Sequence, residues 1–372
     1  MTLGDLLRRA TEKVPRKTAA IYREHRLSYE ALHERTNQLA NALLRLGLEK
    51  GDRLAVLIDN SHYAYEVIMG AAKAGIVLVP LNYMLKGREL SAIIRHAGAR
   101  ALIVGKNHWP TVDGIRHELS SVKEWIVIGE GDQGVQEYEA LIREASSGDP
   151  STPLEEDDLF ALLYTSGTTG LPKGTMLTHR NILANVENAI REYRIDEDSV
   201  GFTVLPYFVG ATLNCIHFPC LYQGGTMVFE RFSPRRFLEV IQEERVTHVQ
   251  VVPTILIRLL ESGDLRHFRW DSLKTLGYGS APMPVDRLKQ ALQVFGPILL
   301  QIYGLTETTA MSTCLPPESH TLEGEGSKRL ASCGRPVKGV EVKVVDEAGK
   351  EVAPGEVGEI IIRGPTVMKG YW

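Results

Sequence analysis

Residues 28–104 alternate, without a break, between apolar positions at helical spacing and short unbroken apolar runs, and few folds accept that order. Ser28 is placed to cap a helix on which Leu32, Leu39, Leu43 and Leu46 share one face before Gly47 stops it. A strand-length run at 54–58 follows. A second helix covers 63–74 with Gly75 as its stop; then come the strand IVLVP, a helix around 89–96 and the strand ALIV at 101–104. Fully apolar strands joined by amphipathic helices are the pattern of a parallel sheet covered on both faces. The alternation therefore predicts an α/β protein.

The polar, turn-rich segment ASSGDPSTPLEEDD at 145–158 reads as a linker that closes a first lobe over 1–158. The alternation then resumes with LFALLY, a helix from about Asn181, the strand TMVF, a helix at 237–243 and the strand HVQVV, which predicts a second α/β lobe over 159–331. From Ser332 the apolar period changes to two. VEVKVVDEAGKEV turns at Asp-Glu-Ala-Gly and GEIIIRG follows, so 332–372 is expected to form a small antiparallel β subdomain. A chain of 372 residues has room for these three units.

A net charge near -4 offers no bulk attraction for nucleic acid, and basic pairs such as Arg235-Arg236 and Lys328-Arg329 read as solvated surface. No nucleic-acid partner is expected. Cys215, Cys220, Cys314 and Cys333 show no CxxC pair and no metal-like spacing with histidine, so they read as reduced thiols of a cytoplasmic protein. MTLGDLLRRATEKVP mixes charge with leucine at helical spacing and lacks the apolar core of a signal peptide. The longest apolar runs are strand length, so no transmembrane segment is expected. Oligomeric state is not written in the sequence, and a homodimer is compatible with it.

Gly129, Gly131 and Gly134 in GEGDQG match a dinucleotide-binding glycine pattern, but Glu130 and Asp132 would set carboxylates against a pyrophosphate, so a solvated turn is expected. The stretch YTSGTTGLPKGTMLTH at 164–179 is more specific. Its glycines free the backbone to turn amide groups inward, and Thr165, Ser166, Thr168 and Thr169 add hydroxyl donors. Pro172 stiffens the exit and Lys173 supplies a mobile point charge suited to a polyphosphate. The bland alternative is a flexible hairpin with a solvated lysine. His179, directly after it, reads as a helix-entry residue rather than a base.

Two further clusters sit at strand ends, where open α/β sheets bind ligands. In GYGSAPMP, 277–284, glycines and prolines make a rigid close-approach turn. In LLQIYGLTETT, 299–309, a buried run ends at Tyr303-Gly304 before Thr306 and Glu307. That pair is either a helix cap or a hydroxyl and a carboxylate for a phosphate and magnesium.

Taken in order, YTSGTTGLPKG, GSAP, YGLTE and GEIIIRGPTVMKGYW resemble successive core motifs of the adenylate-forming (ANL) superfamily, which includes acyl-CoA synthetases, luciferases and peptide-synthetase adenylation domains. The resemblance covers nearly the whole chain. It implies a five-layered αβαβα arrangement and a ligase that uses ATP, Mg2+ and coenzyme A. It further implies that Thr165, Ser166, Gly167, Thr168, Thr169, Gly170 and Lys173 hold the β- and γ-phosphates of ATP. Gly279, Ser280, Ala281 and Pro282, with Tyr303 and Gly304, would frame the adenine. Thr306 would contact the α-phosphate, and Glu307 would ligate magnesium. The acid would lie along Tyr207, Phe208, Val209, Gly210 and Ala211, along Val252, Pro253 and Thr254, and along Gly277, Tyr278 and Gly279.

The implied reaction joins a carboxylate to the α-phosphate, releases pyrophosphate, and passes the acyl group from acyl-AMP to a thiol. The apolar stretches PYFVGATLNCIHFPCL and VVPTILIRLL suit a medium- or long-chain fatty acid, with an aryl acid next, although plain core is their ordinary reading. Two features depart from the family. Segment 205–214, LPYFVGATLN, lacks the histidine that often follows its aromatic residue. The chain also stops at Trp372, before the family's Thr-Gly-Asp motif and its lysine-bearing lid, so poor turnover by this chain alone is expected. A ligase serving another thiol, a noncatalytic nucleotide-binding module and a kinase are the competing readings.

Overall fold

The computed structural model describes residues 1–165 and 172–372. Within these residues an eight-stranded sheet runs in the order Gly370–Tyr371, Lys173–Thr178, Leu159–Thr165, Val77–Pro80, Arg53–Leu57, Ala101–Gly105, Glu124–Ile128, Gln136–Glu137. A nine-stranded sheet runs Arg335–Pro336, Thr313–Leu315, Leu299–Tyr303, Thr275–Gly279, His248–Val251, Val200–Thr203, Thr226–Phe229, Thr18–Tyr22, His25–Ser28. Both are parallel through their centres, as the α/β alternation predicts; antiparallel pairs lie at both edges of the nine-stranded sheet and at the Gly370–Tyr371 edge of the eight-stranded one, whose other edge strand, Gln136–Glu137, is parallel. A third, two-stranded antiparallel sheet pairs Glu341–Val345 with Glu359–Arg363.

Strand alternation sorts the apolar side chains into three cores. Leu54 and Val56 join Met227, Phe229, Leu300 and Ile302 in a core shared by the two large sheets, filled by helices Leu3–Lys13, Tyr29–Arg45, His62–Ala74 and His179–Tyr193. Ala55 and Leu57 point the other way, under helix Gly87–Ala97. On the far side of the nine-stranded sheet, Val249, Leu276 and Leu299 pack under helices Pro234–Glu243, Pro253–Glu261 and Val285–Phe295. Helices and sheets thus alternate through five layers.

Local signals behave as the sequence suggests. The Ser28 side chain accepts a hydrogen bond from the Ala31 amide at 3.1 Å, and Gly75 ends its helix at φ 72°. The GEGDQG segment is an open turn in which Lys106 pairs with Glu130 and the Trp109 indole donates to Asp132. Among the described residues, no helix is long and apolar enough to cross a membrane.

The sheets do not divide the chain at 158. Strands Thr18–Tyr22 and His25–Ser28 belong to the nine-stranded sheet, whereas Leu159–Thr165 and Lys173–Thr178 belong to the eight-stranded one. The linker composition marks a real crossing of the surface, but pairing partners separated in sequence decide sheet membership. The strands of 332–372 fall in three sheets. The two end ones, Arg335–Pro336 and Gly370–Tyr371, are edge strands of the two different large sheets, and only the strands between them form the small one.

Candidate functional site

The parallel register gathers the predicted strand-end segments at one edge. Val251 pairs with Tyr278 and Gly279 with Ile302, so Val252–Thr254, 279–282 and 303–307 leave adjacent strands at their carboxyl ends. Strand Val200–Thr203, the next in order, leads into 205–211. Four segments singled out in the sequence therefore share the carboxyl edge of one sheet, the place where such sheets take ligands.

Small residues at this edge are demanded by close approach. A Cβ on Gly279 would lie 2.5 Å from the Ile302 carbonyl oxygen, and one on Gly304 would lie 2.3 Å from that of Ala310. Ser280 holds φ 66°, a conformation uncommon for a residue with a side chain, and Ser280, Ala281 and Pro282 are exposed. Thr306 and Glu307 lie on the single turn Thr306–Thr308, both partly buried. The helix-cap alternative falls to a neighbour: Thr308, not Thr306, accepts from the Leu305 amide at 2.9 Å. Among the described residues the Thr306 hydroxyl makes no hydrogen bond.

Tyr207 and Tyr278 are placed differently from their expected roles against the acid. Tyr207 is 2% exposed and donates to the Val56 carbonyl at 2.5 Å, so its ring ties the two sheets together. Tyr278 points to the opposite face from its glycine neighbours, into the outer core, with its hydroxyl 2.9 Å from His320 Nε2. Burial raises both phenols well above their ordinary range. Phe208, Val209 and Gly210 remain partly exposed, and Phe208 meets the edge of Tyr83 at 5.3 Å. Ala211 is buried at the start of a helical stretch that continues through a π-helical turn, Leu213–His217, into Phe218–Gln223. Val252 is partly buried, Pro253 is buried and Thr254 is exposed. Behind Gly277 sit the side chains of Tyr193 and Gln250, hydrogen-bonded to each other and buried.

The predicted phosphate loop springs from the other sheet. Thr165 pairs with Lys173 across its base, while Ser166, Gly167, Thr168, Thr169 and Gly170 lie outside the described residues. Lys173 is exposed, with its ammonium 5.1 Å from the centre of the Tyr371 ring. The Tyr371 hydroxyl in turn donates to Glu307 Oε1 at 2.8 Å, and that carboxylate keeps the phenol above its ordinary range. One tyrosine thus joins the lysine of one sheet to the carboxylate of the other. Among the described residues no group of three acidic, histidine or cysteine side chains could cage a metal. A lone, partly buried carboxylate fits magnesium, which is commonly held by one or two carboxylates plus substrate phosphates.

Sequence reasoning missed the residues that hold this arrangement. Asn181, Asn185 and Asn188 lie on one face of helix His179–Tyr193. Asn181 donates to the carbonyls of Pro365 and Val367, Asn185 to that of Asn214, and Asn188 to that of Lys338. Their i, i+4, i+7 spacing is a visible stripe of amides on a buried face, and that was the available signal. His179 does enter this helix as expected: it is 1% exposed and accepts from the Leu3 amide through Nδ1 at 3.2 Å.

Two helix-covered sheets with tight small-residue turns gathered at one strand edge define a ligand-binding α/β protein. More closely, the chain belongs to the AMP-binding enzyme family of the adenylate-forming superfamily, whose model matches residues 7–372. It is similar to a feruloyl-CoA synthase of an Amycolatopsis species, at 34% identity over 100% of this chain and 71% of that one. It is also similar to the fatty acid–[acyl-carrier-protein] ligase ScoC of Streptomyces coeruleorubidus, at 33% identity over 96% and 68%. The anthranilate CoA ligase AuaEII, solved with anthranoyl-AMP, superposes with TM-score 0.93 at 25% identity, covering 100% of this chain and 70% of that one. The N-terminal domain of FACL13 from Mycobacterium tuberculosis superposes with TM-score 0.90 at 28% identity, covering 100% and 91%.

Proposed function

We propose that this protein activates a carboxylic acid with ATP to an acyl adenylate and takes part in passing the acyl group to coenzyme A. The observation that carries the reading is the meeting of Lys173 and Glu307 across Tyr371, beside four strand-end segments, in a chain of the AMP-binding family. A carboxylate oxygen bonds to the α-phosphorus while the bond to the β-phosphate oxygen breaks and pyrophosphate leaves. The thiol then bonds to the acyl carbon, and AMP leaves. Both partners of the first step are anions, so positioning and charge neutralisation are the main tasks of the protein. Lys173 offers positive charge to the departing pyrophosphate, and the Thr306 hydroxyl offers a donor to the α-phosphate. A magnesium ion shared by Glu307 and the nucleotide would supply further neutralisation. No protein nucleophile is required. The three buried free thiols, Cys215, Cys220 and Cys314, support a reducing, cytoplasmic setting.

For the acid, the apolar stretch 205–221 supports a fatty tail. A specific observation favours an aryl acid: the buried Tyr193–Gln250 pair closes the space behind Gly277. The names of relatives such as the feruloyl-CoA synthase and the anthranilate ligase point the same way. The deciding experiment is ATP–pyrophosphate exchange driven by added acids, run across a fatty chain-length series and a benzoate–cinnamate series, with CoA addition followed by mass. Exchange without dependence on any carboxylate, or release of orthophosphate in place of pyrophosphate, would overturn the reading in favour of a kinase or ATPase.

A further inference from the structure

Tyr371 is held too firmly to be a passing contact. Strand Gly370–Tyr371 pairs with Lys173–Thr178, the Trp372 amide donates to the Gly174 carbonyl at 2.8 Å, and the Lys369 amide donates to that of Met176 at 3.0 Å. On the opposite face, Trp372 donates through Nε1 to the His96 carbonyl at 3.2 Å, and the Arg53 guanidinium lies 5.5 Å from a Trp372 ring centre. Gly174 sits tightly between them, since a Cβ would lie 3.2 Å from the Tyr164 ring and 3.3 Å from Trp372 Cβ. The turn that bears Glu307 is equally fixed. The Met368 amide donates to the Glu307 carbonyl at 2.8 Å, and Thr309 and Ala310, which end the turn, hold φ 58° and 85°. A phenol that donates to Glu307 Oε1 leaves Oε2 without a partner among the described residues. The ring face meanwhile offers the Lys173 ammonium a cation–π seat.

We propose that Tyr371 is a positioning residue for metal-bound nucleotide: its hydroxyl aims the Glu307 carboxylate and its ring seats Lys173, so both groups face one polyphosphate from different sheets. This rests on the acid-activation reading of the same site. The test is calorimetric binding of ATP to the 372-residue chain, with and without Mg2+, for wild type, Tyr371→Phe, Tyr371→Leu and Glu307→Gln. Tyr371→Phe keeps the ring, so metal-free binding should stay within about twofold, whereas the Mg2+ needed for half-maximal enhancement should rise about ten- to a hundredfold, the scale of one lost hydrogen bond to a charged group. Tyr371→Leu should weaken metal-free binding as well. If Glu307→Gln abolishes the Mg2+ effect while Tyr371→Phe leaves it unchanged or tighter, the tyrosine has no positioning role. If Glu307→Gln keeps the full Mg2+ effect, the metal site itself is wrong and the proposal goes with it.

Discussion

At the scale of single residues, charge and clearance decide what the site edge tolerates. Lys173→Ala and Glu307→Gln should each lower carboxylate-dependent exchange about a hundredfold or more, the usual cost of removing one aligned charge-stabilising group. Wild-type rates in both would remove them from the machinery. Gly279→Ala forces a Cβ to within 2.5 Å of a backbone oxygen that has no room to yield, so urea unfolding should show a loss of about 1–3 kcal/mol. Gln250→Ala, by contrast, enlarges the space behind Gly277, and exchange should shift toward longer or bulkier acids; an unchanged acid profile would remove Gln250 from the acid site. The close approach at Gly277, Gly279 and Gly304 was legible in the sequence because backbone clearance shows in residue type, and Lys173 and Glu307 stood out there by their charge. Tyr371 was not, because nothing local says that a strand starting at Gly370 returns to lie against Lys173–Thr178. Tyr278 misled for a related reason: alternation along a strand turns neighbours to opposite faces, and the sequence does not say which face carries the ligand.

At the scale of elements, helix His179–Tyr193 works as a spacer whose amides hold three separate chain segments. Asn181 matters most, since it bonds two strap carbonyls and also receives the Thr178 amide in the helix cap. Asn181→Ala should cost about 1 kcal/mol by removing hydrogen bonds to two partly buried carbonyls, and limited proteolysis should open 364–368 before any other site. Unchanged cleavage would mean that strand pairing alone secures the strap. Helix and strand existence was readable through most of the chain from apolar period and stop glycines. Sheet membership on either side of 158 was not, because a polar linker records where the chain surfaces while distant pairing decides which sheet a strand joins. The helical run from Gly210 to Gln223 escaped for another reason: its polar residues Thr212, Asn214 and His217 are buried with the apolar ones, so no solvent face marks a period.

For the whole molecule, buried histidines set the acid limit. Burial pushes His179 and His248 down to about 4 and His217 to about 3. In the unfolded chain each would titrate near its ordinary value of about 6.5. Below that pH the unfolded state gains protons that the folded state refuses, so stability is present above about pH 6.5 and falls as pH drops toward about 4. Each histidine contributes up to about 1.4 kcal/mol per pH unit. Urea titrations at stepped pH should show that slope, and His217→Leu should flatten it by about one proton; an identical slope would exclude His217 from the effect. The interleaved sheets also impose a timetable. Ala20 can pair early with Leu27, but its parallel partner on the other side is missing until Met227 exists, and the carboxylate of Glu307 meets its tyrosine only after Gly370–Tyr371 has been made. At roughly 5–20 residues per second on the ribosome, the strand at Thr18–Tyr22 waits roughly 10–40 seconds for its parallel neighbour, Thr226–Phe229. During synthesis, then, the hairpin of Thr18–Tyr22 with His25–Ser28 keeps one open edge, and the coupling of Lys173 to Glu307 must wait until residue 371 has been made.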